Sequence, residues 1–65
     1  MIRSNVKEIM EKKGVTVRNL MAQTGLADGT ILRARDARIG RCTLDTLATI
    51  AGALGCRVKD LFEEA

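Results

Sequence analysis

Apolar residues recur along this chain at the spacing of short helices, and most of the recurrences are closed by a glycine. Ile2, Val6, Ile9 and Met10 fall at i, i+4, i+7 and i+8, which predicts one helix running to about Lys13. Gly14 then supplies the left-handed stop that helices favour. Thr16 is placed to cap a second helix whose stripe is Val17, Leu20 and Met21 and whose end is Thr24, followed by a turn at Gly25. After Leu26, residues 28–36 read as a third helix with Ile31 and Ala34 facing inward, and the loop ARIGRC carries the chain onward. Thr43 caps a fourth helix, TLDTLATIAGAL. Its apolar face is Leu44, Leu47, Ala48, Ile50, Ala51 and Leu54, and Asp45 sits favourably in its first turn. Gly55 stops it, and Val58, Leu61 and Phe62 predict a last short turn of helix that covers the open end of the bundle.

Gly52 is the local misfit, since a glycine inside a helix costs about 1 kcal/mol relative to alanine. Close approach of a neighbouring helix is the expected reason. One aromatic residue, Phe62, and only scattered Val, Ile and Thr argue against a sheet. The expected fold is therefore all-α, a compact bundle of five short helices. With 65 residues and no repeat, linker or low-complexity run, residues 1–65 read as one module. A chain of this size buries only about 60% of its unfolded surface, so its core is thin.

Composition narrows the chemistry. Apolar runs are only a few residues long, too short to cross a bilayer of about 30 Å, and the charged start MIRSNVKEIMEKK does not resemble a secretory signal. Cytoplasmic residence is expected, with nucleoid association whenever DNA is bound. Cys42 and Cys56 are the two thiols and histidine is absent, so a zinc site lacks ligands; both cysteines read as small buried hydrophobes in a reducing compartment. General acid–base work draws on His, Tyr or paired carboxylates in a pocket, and the chain has neither His nor Tyr. Ser4, the lone serine, has no base in sight. No catalytic residue, metal or cofactor is expected, and the protein is not read as an enzyme.

Charge is unevenly distributed. Residues 33–41 hold Arg33, Arg35, Arg38 and Arg41 against Asp36, four positive charges less one negative, or +3; the whole chain is also +3. Everything outside this window sums to neutral.

The second and third helices are each about two turns long and are separated by the few residues around Gly25 and Leu26, which is the spacing of a helix-turn-helix over about residues 17–36. Generic helical hairpins share that outline. The longer string TVRNLMAQTGLADGTILRARD, followed by TLDTLATIAGALGCRVKDLF, resembles the Cro and lambda-repressor-like helix-turn-helix regulators, the XRE family. Its most telling parts are TGL at Thr24 to Leu26, Ile31, the TLxTLxxIAxALG pattern from Thr43 to Gly55, and DLF ending at Phe62. The resemblance runs from about Val6 to Phe62. It implies a five-helix lambda-repressor-like domain whose third helix enters the major groove of double-stranded DNA while the second crosses the backbone. It also implies a homodimer on half-sites one helical turn apart.

Three departures from the family pattern bear on the contacts. Val17 stands where the family places a phosphate-touching glutamine, which passes that contact to Thr16 or Arg18. Ala27 and Asp28 replace the usual Ser or Thr before the recognition helix; Asp28 can cap the helix, but its charge repels phosphate. Met21 stands in place of a small alanine and Ala34 in place of a larger aliphatic, a swap that conserves core volume.

At 100° per residue, Gly29, Leu32, Arg33 and Asp36 lie opposite Ile31 and Ala34. With Asp28 at the helix start, the base-contact candidates are Asp28, Gly29, Leu32 and Arg33. Arg33 suits a bidentate pair with guanine, and Leu32 either meets a thymine methyl or packs on a neighbouring loop. Asp36 either accepts from cytosine or holds an arginine in place, and the stem of Arg35 is expected to pack over the core. Backbone-contact candidates are Thr16, Arg18, Thr30, Arg38, Arg41 and Thr43, the last at a helix N-terminus that suits phosphate. By analogy to the family, Ile39, Val58, Leu61 and Phe62 are the candidates for the dimer surface; Ile39 also reads as a loop anchor in the core. The expected function is sequence-specific DNA binding by a minimal dimeric repressor. Two alternatives stand beside it. One is a protein-interaction module on the same fold, such as an antitoxin with a protein partner. The other is nonspecific or RNA binding, which the lack of stacking aromatics disfavours.

Overall fold

The computed structural model describes residues 1–64. Its elements are β1 (Ile2–Ser4), α1 (Val6–Lys13), α2 (Val17–Thr24), α3 (Asp28–Ala34), a 3-10 turn (Ala37–Arg41), α4 (Leu44–Leu54), a second 3-10 turn (Val58–Asp60) and β2 (Phe62–Glu64). Side chains named by their spacing make the helix boundaries. Thr16 accepts from Asn19 N–H at 3.1 Å while Asn19 Oδ1 accepts from Thr16 N–H, a reciprocal cap that starts α2. Thr43 accepts from Thr46 N–H at 3.1 Å and starts α4 with a one-way cap. Gly25, at φ +75°, ends α2 in a left-handed conformation that side chains rarely adopt. Thr24 fixes the turn after it, donating to Leu20 C=O at 2.6 Å and accepting from Leu26 N–H at 3.2 Å.

Eleven residues form the core: Val6 and Met10 from α1, Leu20 from α2, Ile31 and Ala34 from α3, Ile39 from the first 3-10 turn, Leu47, Ile50, Ala51 and Leu54 from α4, and Leu61. Ala34 is fully buried, and Met21 is half-buried where it packs against the core from outside.

The expectation of five helices and no sheet is corrected. Among the described residues there are four α-helices, and the two chain ends pair as a short antiparallel sheet. Ile2 lies in β1 instead of the first turn of α1, and Phe62 lies in β2 beyond a 3-10 turn instead of in a fifth helix. The register pairs Ile2 with Glu64, Arg3 with Glu63 and Ser4 with Phe62, and an ion pair between Arg3 and Glu63 bridges the strands on one face. Three-residue strands at opposite ends of the sequence leave no local periodicity to read. Ser4 secures this end of the molecule: its hydroxyl donates to Ala34 C=O at 2.5 Å, satisfying a carbonyl at the end of α3, and accepts from Val6 N–H at 3.2 Å.

α3 ends at Ala34, two residues before the expected boundary, because Asp36 is extended and caps the following 3-10 turn. α4 also differs on its apolar side. Leu44 is 72% exposed and Ala48 is exposed, so the buried stripe starts at Leu47.

Gly52 meets no neighbouring helix. A Cβ built there finds nothing within 4 Å, and the residue is exposed, which removes close packing as its explanation. Gly52→Ala is therefore expected to stabilise the fold by about 0.5–1 kcal/mol, through helix propensity alone. For a domain of this size that is a melting temperature about 2–8 °C higher, measurable by thermal unfolding. An unchanged or lower value would show that α4 is not a regular helix at this position.

Candidate nucleic-acid interface

The polar side of α3 is built by what its other side buries. Ile31 and Ala34 are 0% exposed, which turns Gly29, Leu32 and Arg33 outward; Leu32 is 44% exposed, and Arg33 is exposed one residue further on. An exposed leucine and an exposed arginine side by side on a helix are the two side-chain types that read thymine methyl groups and guanine edges. Asp28 occupies the first position of α3, and its carboxylate accepts from Gly29 N–H at 2.7 Å. The N-cap is Ala27, which makes no side-chain capping bond, so Asp28 binds inside the first turn and is not the cap residue. Thr30 is half-buried on the flank.

The residues after α3 form a preset arrangement. Asp36 accepts from Arg38 N–H at 2.7 Å, and its two carboxylate oxygens receive Arg38 Nε at 3.0 Å and 3.2 Å and Nη2 at 2.7 Å. The Arg38 guanidinium holds the Asp36 carboxyl below its usual range. A group whose folded pKa is lowered contributes ordering above its unfolded value and loses it as pH falls through the folded one, so this clamp is intact at neutral pH. Of the two roles open to Asp36, holding an arginine is the one seen. Arg41 is exposed at the end of the same turn.

Arg35 is half-buried, as the sequence predicts, and its Nε is enclosed without a hydrogen-bond partner. Arg18 is exposed on the first turn of α2. The hydroxyls of Thr16 and Thr43 are already engaged. Thr16 accepts the capping bond, and Thr43 accepts from Thr46 N–H and lies 3.0 Å from the Thr46 hydroxyl. The first N–H groups of α4 before Thr46 have no earlier turn of the helix to bond to, which leaves them as donors at this end.

The four dimer-surface candidates divide. Ile39 is 1% and Leu61 0% exposed, both side chains lying in the core, whereas Val58 and Phe62 are half-buried. Phe62 lines an apolar groove of about 160 Å³ with Ile2, Gly40, Cys42 and Leu44. Sequence reasoning missed this groove because it assigned Leu44 to the core and Ile2 to a helix. Burial raises both cysteine thiols above their usual range. Among the described residues, no group of three or more His, Cys, Asp or Glu side chains is placed to hold a metal, and no helix is long and apolar enough to cross a membrane.

A family model described as a Cro/C1-type HTH DNA-binding domain matches residues 5–63. None of the curated proteins compared matches the chain.

Proposed function

Given that the chain belongs to the Cro/C1-type helix-turn-helix DNA-binding family, we propose that it is a minimal transcriptional repressor that binds double-stranded DNA as a homodimer and reads sequence with α3. Residues 1–65 act as one DNA-binding module, by occupancy and not by catalysis. The observation that carries this reading is the outward pair Leu32 and Arg33 on a helix locked from behind by fully buried Ile31 and Ala34. Arg33 grips guanine, Leu32 contacts a thymine methyl, and Gly29 and Asp28 border the same base edges at the helix start.

Arg38 and Arg41 touch phosphate and set the register of α3 without reading bases. Arg18 and Thr16 at the start of α2, Thr30 on the flank of α3 and Thr43 with the N-terminal amides of α4 complete the backbone contacts. Asp36 presents Arg38 in one orientation, which lowers the entropy lost when the guanidinium meets the duplex.

Salt dependence tests this reading. Binding to a duplex of fixed sequence should weaken steeply as salt rises, and Arg38→Ala or Arg41→Ala should each lower the log–log slope by about 1 while weakening binding to all sequences alike. Slopes identical to the wild type would remove both arginines from the phosphate contacts, and an absence of salt-sensitive duplex binding would overturn the reading as a whole.

A further inference from the structure

We infer that the cleft between β1 and the end of α3 is a binding site for a small organic monocarboxylate, anchored by the Arg35 guanidinium. Ile2, Arg3 and Ser4 of β1 form one side of a cleft of about 300 Å³, and Arg35, Asp36 and Ala37 form the other. That volume lies at the lower end of the range for ligand pockets, about 300 to 1,000 Å³. Among the described residues, Arg35 makes no hydrogen bond and no ion pair. Its Nε is sealed from solvent, while Nη1 and Nη2 are not. A guanidinium held half-buried with its charge unpaired is unfavourable, and an acid that meets it there supplies what the fold leaves unsatisfied.

The other polar side chains of the cleft are already committed. The Asp36 carboxylate receives Arg38 Nε and Nη2, and Arg3 is paired with Glu63. The Ser4 hydroxyl donates to Ala34 C=O and accepts from Val6 N–H. One unpaired positive charge beside Ile2 and Ala37 specifies a ligand with one negative charge and an apolar body. With Nε sealed, the acid meets the Nη1–Nη2 edge end on, each of its two oxygens accepting one N–H. An apolar cavity of about 150 Å³ takes a benzene-sized group, so a cleft of about 300 Å³ takes a ring on a short acid-bearing chain. A phosphate or sulfate dianion would leave its second charge against the apolar wall and near Asp36, which disfavours it.

The site bears on DNA through charge, a consequence that rests on the DNA-binding reading. Arg35 directly follows α3, and Asp36, in the wall of the cleft, holds Arg38, one of the proposed phosphate contacts. An anion seated here cancels one positive charge on the flank that carries those contacts. The carboxylate and the duplex therefore oppose each other, each weakening the binding of the other by the same factor. A ligand with that sign of coupling acts as an inducer, releasing the protein from DNA.

Titration of the isotope-labelled protein with phenylacetate, followed by amide NMR without DNA, tests the site. The amides of Ile2, Ser4, Arg35 and Ala37 should shift saturably, with a dissociation constant on the order of 1 mM for a ligand of about ten heavy atoms. Phenylacetamide, with the same body and no charge, and inorganic sulfate, with charge and no apolar body, should each bind at least about 10-fold more weakly. Arg35→Met keeps the apolar stem and should weaken phenylacetate binding by a similar factor, with a melting temperature no lower than that of the wild type because the sealed Nε is gone. Ala37→Leu fills the cleft with Arg35 intact and should also weaken binding, whereas Lys7→Met on the exposed side of α1 removes the same charge and should not. With ionic strength held constant, saturating phenylacetate should weaken duplex binding about 5-fold or more. Shifts that fail to saturate, or that Arg35→Met leaves unchanged, overturn the site. Absence of saturable phenylacetate binding, with an Arg35→Met variant whose salt slope on DNA falls by about 1, would assign Arg35 to the duplex instead. Arg35-dependent binding with unchanged duplex affinity keeps the site and removes the antagonism. A protein that binds phenylacetate through Arg35 but shows no salt-sensitive duplex binding keeps the site and sinks the DNA reading.

Discussion

Replacing Arg33 by alanine is expected to erase the preference for one base step in each half-site while leaving the fold unchanged. The side chain is exposed and makes no hydrogen bond or ion pair with Asp36, whose carboxylate is occupied by Arg38; its charge reaches Asp36 and Cys42 only through space, so the fold does not hinge on it. On the duplex, a bidentate arginine–guanine pair is worth about 1–3 kcal/mol of discrimination, or about 5- to 150-fold. Competition binding between the selected site and a site altered at that step should show the ratio collapse towards one. The melting temperature should match that of the wild type. A retained ratio would move base reading away from Arg33, to Leu32 or to the shape of the duplex.

The neighbouring variant Ile31→Ala should do the opposite. Ile31 is 0% exposed and ties α3 to the core, and removing three buried carbons costs about 2–5 kcal/mol. A 65-residue domain holds little stability in reserve. Its melting temperature should fall by about 10 °C or more, and DNA binding should fail with it. Below that temperature the folded fraction should keep the wild-type base preference, because Arg33 still projects from the same helix. Two positions two residues apart thus separate specificity from stability. An Ile31→Ala variant with full stability and lost preference would mean that Ile31, not Arg33, faces the duplex.

The helices were legible because their boundaries are set locally. Thr16 and Thr43 bind backbone within three residues, and Gly14, Gly25 and Gly55 each close a helix in the left-handed conformation, so sequence order alone carries the information. The sheet was not legible, because Arg3 finds Glu63 across 60 positions and each strand spans only three residues. Leu44 was misassigned for a different reason. Helical spacing places it near Leu47 and Ala51, but as the first residue of α4 it projects past the layer that covers them. Gly52 likewise suggested a close contact, whereas the face it occupies is open.

The site follows the same division. The outward direction of Arg33 follows from the buried spacing of Ile31 and Ala34, and the Asp36–Arg38 clamp from two residues of sequence separation. The Ser4 hydroxyl on Ala34 C=O, which anchors the far end of α3, depends on tertiary placement across 30 positions and had no sequence signal. Composition pointed to a small, helical protein; the outward direction of individual side chains is what sets the polar face of α3 apart as the candidate interface.

Selection of bound sites from a random duplex pool tests the central claim most directly. The account predicts enrichment of a two-fold symmetric motif with half-sites about one helical turn apart and a conserved guanine in each half. Recovery of no enriched motif, with binding equal across the pool, would contradict it.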